Sequence, residues 1–349
     1  MNRRSFLTTA AAVPLAAAQL AAAQQLRGLN LRLGIDLFSI RSQGWTPFEY
    51  LDYSSKWGAK VVHFSEIRFI GNLEKDHLKK VGEYAKKLGI EVEIGMRSIC
   101  PTSTLFDLKQ GTGEEQIGRM IDAAVTVGSP IVRAFLGQSA DRSTKIPLEQ
   151  HIENAAKVLR GVRSKAMDNG KKIAIENHAG DMQGRELKSL IEQAGKDFVG
   201  ACLDSGNPCW TVEDPHVTLE HLAPYVLTSH VRDSMVWRTP EGAAVQWTRL
   251  GEGNVGIAEW IKKYVELCPG KAMSLEIIVT NARQFPYLQP KFWDAYRKQP
   301  AWEFARFAAI AEKGKPQADR PKLSQPEAIA KEREDLEVSL QWLQALQSA

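Results

Sequence analysis

Eight short apolar runs, each followed by a helix-patterned stretch, constrain this chain more than any other feature. In order they are LRLGIDLFSI, KVVHFSEI, IEVEIGMRS, PIVRAFLG, KKIAIENH, FVGACLDSGN, YVLTSHVRD and KAMSLEII. Amphipathic stretches such as DHLKKVGEYAKKLG, EEQIGRMIDAAVTVG and RELKSLIEQAG lie between them. Alternation of strand and helix at this spacing predicts βαβ units and a parallel sheet. Eight repeats with none left over predict closure, so the expected fold class is α/β, a (β/α)8 TIM barrel with a C-terminal helical extension. Thr46-Pro47 reads as an N-cap and first-turn pair opening the first helix.

The ends of the chain carry different signals. MNRRSFLTTAAAVPLAAAQLAAAQQ has a charged start, an apolar middle and an Ala-rich end, the layout of a secretory signal. Arg3 and Arg4 followed by Ser5, Phe6 and Leu7 add the twin-arginine pattern. The expectation is export through the twin-arginine machinery to the periplasm, with cleavage after Ala23 and no stable membrane span left. Residues 1–25 are thus set aside as signal, 26–315 as barrel, and 316–349 as a Pro- and Lys-rich linker with a final helix that packs on the barrel or on another subunit of a homo-oligomer. Phe285 to Ala308 is rich in aromatics, which suit either a wall for a sugar ring or the packing of the eighth helix. The formal charge is +4, and Arg3 and Arg4 supply two of those charges. A near-balanced mature chain has no basic stripe for nucleic acid. Cys100, Cys202, Cys209 and Cys268 match no zinc-finger spacing and read as small buried side chains.

Four polar residues interrupt the last four apolar runs near their C-terminal ends: Glu176, Asp204, His230 and Glu276. In a parallel barrel those ends meet on the face where active sites are built. Two unit charges about 4 Å apart repel by about 4 kcal/mol at an effective dielectric of about 20, so three converging carboxylates need protons or a cation. One divalent ion held by three oxygens and one nitrogen meets that need, and the mixed set suits Mn²⁺, Mg²⁺, Co²⁺, Fe²⁺ or Zn²⁺. The plainer reading is four unrelated ion pairs.

IAIENH, CLDSGN, SHVRD, RLGEGNVG and MSLEI, taken in order, resemble the sugar phosphate isomerase/epimerase superfamily of xylose isomerase-like barrels over roughly residues 30 to 282. The resemblance implies that Glu176, Asp204, His230 and Glu276 bind one divalent metal, and that Glu176 and Glu276 also move protons beside a substrate carbonyl. It implies a small-molecule sugar substrate. Arg238 is the candidate for an arginine that contacts substrate in ketose epimerases. From the residues themselves, His178 and Arg232 share strand faces with Glu176 and His230. Arg133 and His63 lie late in the fourth and second strands. All five are expected to bind substrate, with Asn207.

Asn207 departs from the ketose epimerases, which carry a histidine three residues after the metal aspartate. An amide binds a hydroxyl but does not share a proton as an imidazole does. Export also disfavours a phosphorylated substrate. The expected activity is therefore isomerisation or epimerisation of an unphosphorylated sugar or keto-sugar. The alternatives are a lyase or dehydratase acting on an oxidised sugar or glycoside, and a non-catalytic periplasmic sugar-binding protein. The barrel also resembles endonuclease IV, whose histidine-rich three-zinc site this chain does not match.

Overall fold

The computed structural model describes residues 28–348. The expected signal segment, residues 1–25, lies outside them. Eight parallel strands close into a barrel: β1 (Arg32–Asp36), β2 (Val61–Phe64), β3 (Glu91–Ser98), β4 (Ile131–Phe135), β5 (Lys172–Glu176), β6 (Val199–Asp204), β7 (Val226–Val231) and β10 (Ala272–Leu275). These are the eight apolar runs. Two further strands, β8 (Asp233–Thr239) and β9 (Gly242–Thr248), form an antiparallel hairpin after β7, and β11 (Arg283–Phe285) pairs with β9. The sequence reading missed this second sheet.

Helices ring the barrel: α1 (Pro47–Lys56), α2 (Lys75–Lys87), α3 (Gly113–Val127), α4 (Leu148–Gly161), α5 (Gly184–Ala194), α6 (Pro215–Leu222) and α7 (Ile257–Leu267). Their ends are fixed locally. Thr46 accepts from the Glu49 amide while Glu49 reaches back, a capping box with Pro47 in the first turn. Thr112 and Glu115 repeat the device in α3, which ends at Gly128 in the left-handed conformation.

After β10 come α8 (Ala301–Lys313) and α9 (Gln325–Ser348). α9 presents Leu336, Leu340 and Leu343 on one face and buries them in the main core. Tyr53 of α1 bonds to Glu337, and the Leu250 amide, in the segment joining β9 to α7, donates to Ser339, so α9 packs between α1 and the segment that leads into α7. That is the eighth helix position. The division at residue 315 is corrected accordingly: the final helix belongs to the barrel. α8 instead packs on the hairpin in a separate aromatic cluster with Phe285, Tyr287, Tyr296 and Phe307. The aromatic segment is therefore the core of this annex.

Strand register sets the site. Phe135 pairs with Glu176, Glu176 with Cys202, Asp204 with His230, and His230 with Ser274. Glu176 is thus level with Cys202, two residues before Asp204, and His230 with Ser274, two before Glu276, so the four polar residues come together from strand ends stepped around the C-terminal mouth.

Candidate active site

Glu176, Asp204, His230 and Glu276 come together, with one potential ligand atom from each lying within 4.8 Å of the others. All four are buried. His230 Nδ1 stands 3.0 Å from Glu176 and 3.3 Å from Glu276, yet makes no hydrogen bond. A buried ring nitrogen facing two carboxylates without a directed hydrogen bond has the chemistry of a metal ligand. The donor set thus fits one divalent ion.

The carboxylates also have protein counterions. Arg133 Nε donates to Glu176 at 2.6 Å. The Arg232 guanidinium bridges Asp204 and Glu276. The charge conflict that pointed to a metal in the sequence is thus met in part by two buried arginines. Burial pushes Glu176 up, but Arg133 and His230 outweigh it and hold the carboxyl well below the usual range. Burial raises Asp204, against the pull of Arg232 and with the push of Glu176. Burial opposes a charge on His230, while Cys202, Glu176 and Asp36 hold its pKa well above the ordinary value.

Below this layer lies a polar floor. His230 Nε2 is 2.9 Å from His63 Nδ1 and 3.1 Å from Asp36. Thr228 donates to Glu93 at 2.7 Å, and burial lifts Glu93 to about 7. Burial, with His230 beside it, depresses His63 to about 3, so it stays neutral.

A cavity of about 270 Å³ opens above the quartet, with Arg133, His178, Asn207, Arg232, Trp247 and Glu276 in its wall. Four of the six expected substrate contacts therefore reach it. His63 is fully buried and does not line the cavity. Arg238 is not brought there either: it is exposed on β8 and pairs with Glu312 of α8. The hairpin, unseen in the sequence, turns this arginine away from the site.

Asn207 donates its backbone N–H to Asp204 at 2.7 Å and its amide N–H to Glu176 at 3.2 Å, leaving Oδ1 buried without a partner. That oxygen is an acceptor for a ligand hydroxyl. His178 donates from Nδ1 to the Gly137 carbonyl at 2.7 Å and stacks on Phe135 at 3.8 Å. Burial, against the pull of Glu176, lowers it to about 4, so it is neutral with Nε2 left as acceptor. Gly206 lets Arg232 in: a Cβ there would overlap the arginine's Cγ and Cδ.

Trp210 and Trp247 were missed. They stack 3.8 Å apart, Arg232 lies 4.4 Å from the Trp247 ring centre, and Trp247 donates to the Gly206 carbonyl. Asp36 was also missed, although it ends β1 as Glu176 ends β5. Asp233 accepts from the amides of Gly251 and Gly253.

Residues 51–290, more than half the chain, match the family model described as xylose isomerase-like TIM barrel. The chain belongs to the xylose isomerase-like TIM barrel family. Among curated proteins it is 21% identical over 183 residues to 3-oxo-isoapionate decarboxylase of Pectobacterium atrosepticum, covering 52% of this chain and 59% of that one. The chain spans about three fifths of the length of the curated relatives it matches. Among solved structures it is similar to 3-keto-D-glucoside 4-epimerase from E. coli, with 12% identity, a TM-score of 0.55, and 77% of this chain against 98% of that one. It is equally similar to the IolI protein crystallised with a zinc atom, with 16% identity, a TM-score of 0.55, and 80% and 96% of the two chains. At such identities the structural likeness speaks for the fold of this xylose isomerase-like barrel. No helix among the described residues is long and apolar enough to cross a membrane.

Proposed function

We propose that this xylose isomerase-like barrel is a divalent-metal-dependent isomerase or epimerase of an unphosphorylated sugar or keto-sugar, working by proton removal beside a carbonyl. One observation carries the reading: Glu176, Asp204, His230 and Glu276 converge beneath a cavity, with His230 Nδ1 and Asn207 Oδ1 both buried without a hydrogen bond. Glu176, Asp204, His230 and Glu276 would hold the ion. When bound, the ion polarises a carbonyl and stabilises negative charge developing beside it. Glu176 and Glu276 are the proton-transfer groups; Arg133 keeps Glu176 in the ionised form a base requires, while lowering its basicity. Asn207 and His178 offer acceptors for hydroxyls, and Trp247 an apolar face. The reading includes export by the twin-arginine route, which rests on Arg3 and Arg4.

Asn207 supports a second reading. An amide in place of an imidazole leaves the cavity with one fewer proton donor, which suits a lyase or dehydratase of an oxidised sugar better than a two-sided proton exchange. A decarboxylase among the similar proteins is consistent with that outcome.

Incubation of keto-sugars in deuterated water tests both readings together. Isomerase or epimerase chemistry labels the carbon beside the carbonyl and conserves mass apart from deuterium. A turned-over substrate without label sinks proton abstraction, and a product lighter by water or carbon dioxide selects the lyase. Metal analysis of Glu176→Gln and Asp204→Asn tests the site, which is wrong if both retain the parent's metal content.

A further inference from the structure

A second cavity of about 630 Å³ lies beside the first, between the turn Ser139–Ser143 and the segment 283–296. Trp210 lines both. Its neighbour in the partition is Gly180, at a φ of +83°, where a Cβ would press to 3.0 Å from Ser139 and 3.2 Å from the Trp210 carbonyl. Ring contacts run across it from Arg232 to Trp247, then Trp210, then Arg283, whose guanidinium lies 4.7 Å from the Trp210 ring centre.

Arg283 is the unusual member. It is half-buried, and among the described residues no carboxylate lies within ion-pair reach. Its polar contact is the Ser139 hydroxyl, at 2.6 Å. A guanidinium has five N–H donors and a strong preference for paired oxyanions. Lys291, also in the wall, makes no ion pair among the described residues. The other charges in the wall are spoken for: Arg142 pairs with Glu186, and Asp294 with Arg297. Two uncommitted cations therefore face a cavity whose one carboxylate is already neutralised, with Trp210, Phe285, Phe292 and Tyr296 as apolar surface.

We infer that this cavity receives the carboxylate arm of an unphosphorylated, acidic substrate whose sugar ring occupies the barrel cavity. The inference rests on the barrel cavity being the sugar site. Ligand pockets usually measure about 300–1,000 Å³. The barrel cavity, at about 270 Å³, is small by that standard, and the two together hold a ring plus an acidic arm.

Tryptophan fluorescence reads the partition directly. Purified, metal-loaded protein is titrated with D-gluconate, inorganic phosphate and D-glucose, each against sodium chloride at equal ionic strength. The expected result is an anion-specific change, tighter for gluconate than for phosphate; tighter binding of phosphate overturns the carboxylate assignment. Arg283→Met weakens that binding about tenfold, the loss of one charge-assisted contact. Lys291→Gln, at an exposed position, weakens it less and guards against misfolding of the first variant. No anion-specific change in the parent, or equal anion binding in both variants and the parent, overturns the inference. Metal content and deuterium labelling are followed in parallel. Anion binding that persists without labelling condemns the sugar-site reading, and labelling without anion binding condemns this one.

Discussion

Arg232→Met isolates the electrostatic design of the site. Methionine keeps an apolar stem of similar length beside Trp247 and deletes the charge that bridges Asp204 and Glu276. The arginine side chain is 2% exposed, and those of its two partners 0% and 6%. Removing one member of a buried ion pair leaves an uncompensated charge at a cost of about 3–5 kcal/mol. At about 2 °C per kcal/mol for a large domain, Tm in chelator should fall by about 6–10 °C. Metal should then act differently on parent and variant. In the parent, an incoming cation meets a guanidinium on the same carboxylates, and like charges about 4 Å apart repel by about 4 kcal/mol at a dielectric of about 20. In the variant that repulsion is gone. Thermal unfolding by circular dichroism, in chelator and across a Mn²⁺ titration, should therefore show a larger metal-induced rise in Tm for the variant. A variant as stable as the parent in chelator, or an identical metal-induced rise, would refute Arg232 as a counterion of the quartet.

Three further outcomes follow from the packing. Gly206→Ala puts a methyl group into the Arg232 stem and should cost about 1–3 kcal/mol by overpacking, seen as a lower Tm. Leu340→Ala empties a fully buried position under α9 and should cost about 2–5 kcal/mol in denaturant unfolding; a neutral result would mean that α9 is not part of the ring. Burial lifts the Glu213 carboxyl from 4.5 to about 7, against its hydrogen bond from Thr218. The folded protein then binds more protons than the unfolded chain across that window, so this group's contribution to stability falls as pH rises through it. Glu213→Gln should stabilise at pH 8 by about 3 kcal/mol and lose that advantage toward pH 5, and a pH-independent difference would remove burial as the cause.

The barrel was legible because periodicity and order survive in one dimension. The runs ending in Glu176, Asp204, His230 and Glu276 became β5, β6, β7 and the end of β10. Parallel register does the rest, since a polar residue at the end of each strand has one height and one face available to it. The second sheet was not legible in the same way. Asp233–Thr239 and Gly242–Thr248 carry both polar and apolar residues, and their hairpin was absorbed into a loop, which misplaced Arg238. α8 and α9 exchanged roles for a related reason: both are amphipathic, and only packing decides which one the barrel accepts.

By itself, then, the sequence determined which chemistry-bearing residues stand at the strand ends, because strand order and strand spacing are local properties. The tertiary structure decided how their charges are balanced. Arg133 and Arg232 read in the sequence as substrate contacts; they reach the cavity wall and also lie against Glu176, Asp204 and Glu276 as counterions. Coulombic energy depends on separation in space and on what else is buried nearby, and neither is a function of distance along the chain. The same holds for Trp210 and Trp247, whose stacking joins two segments far apart in sequence and divides one cavity from the next.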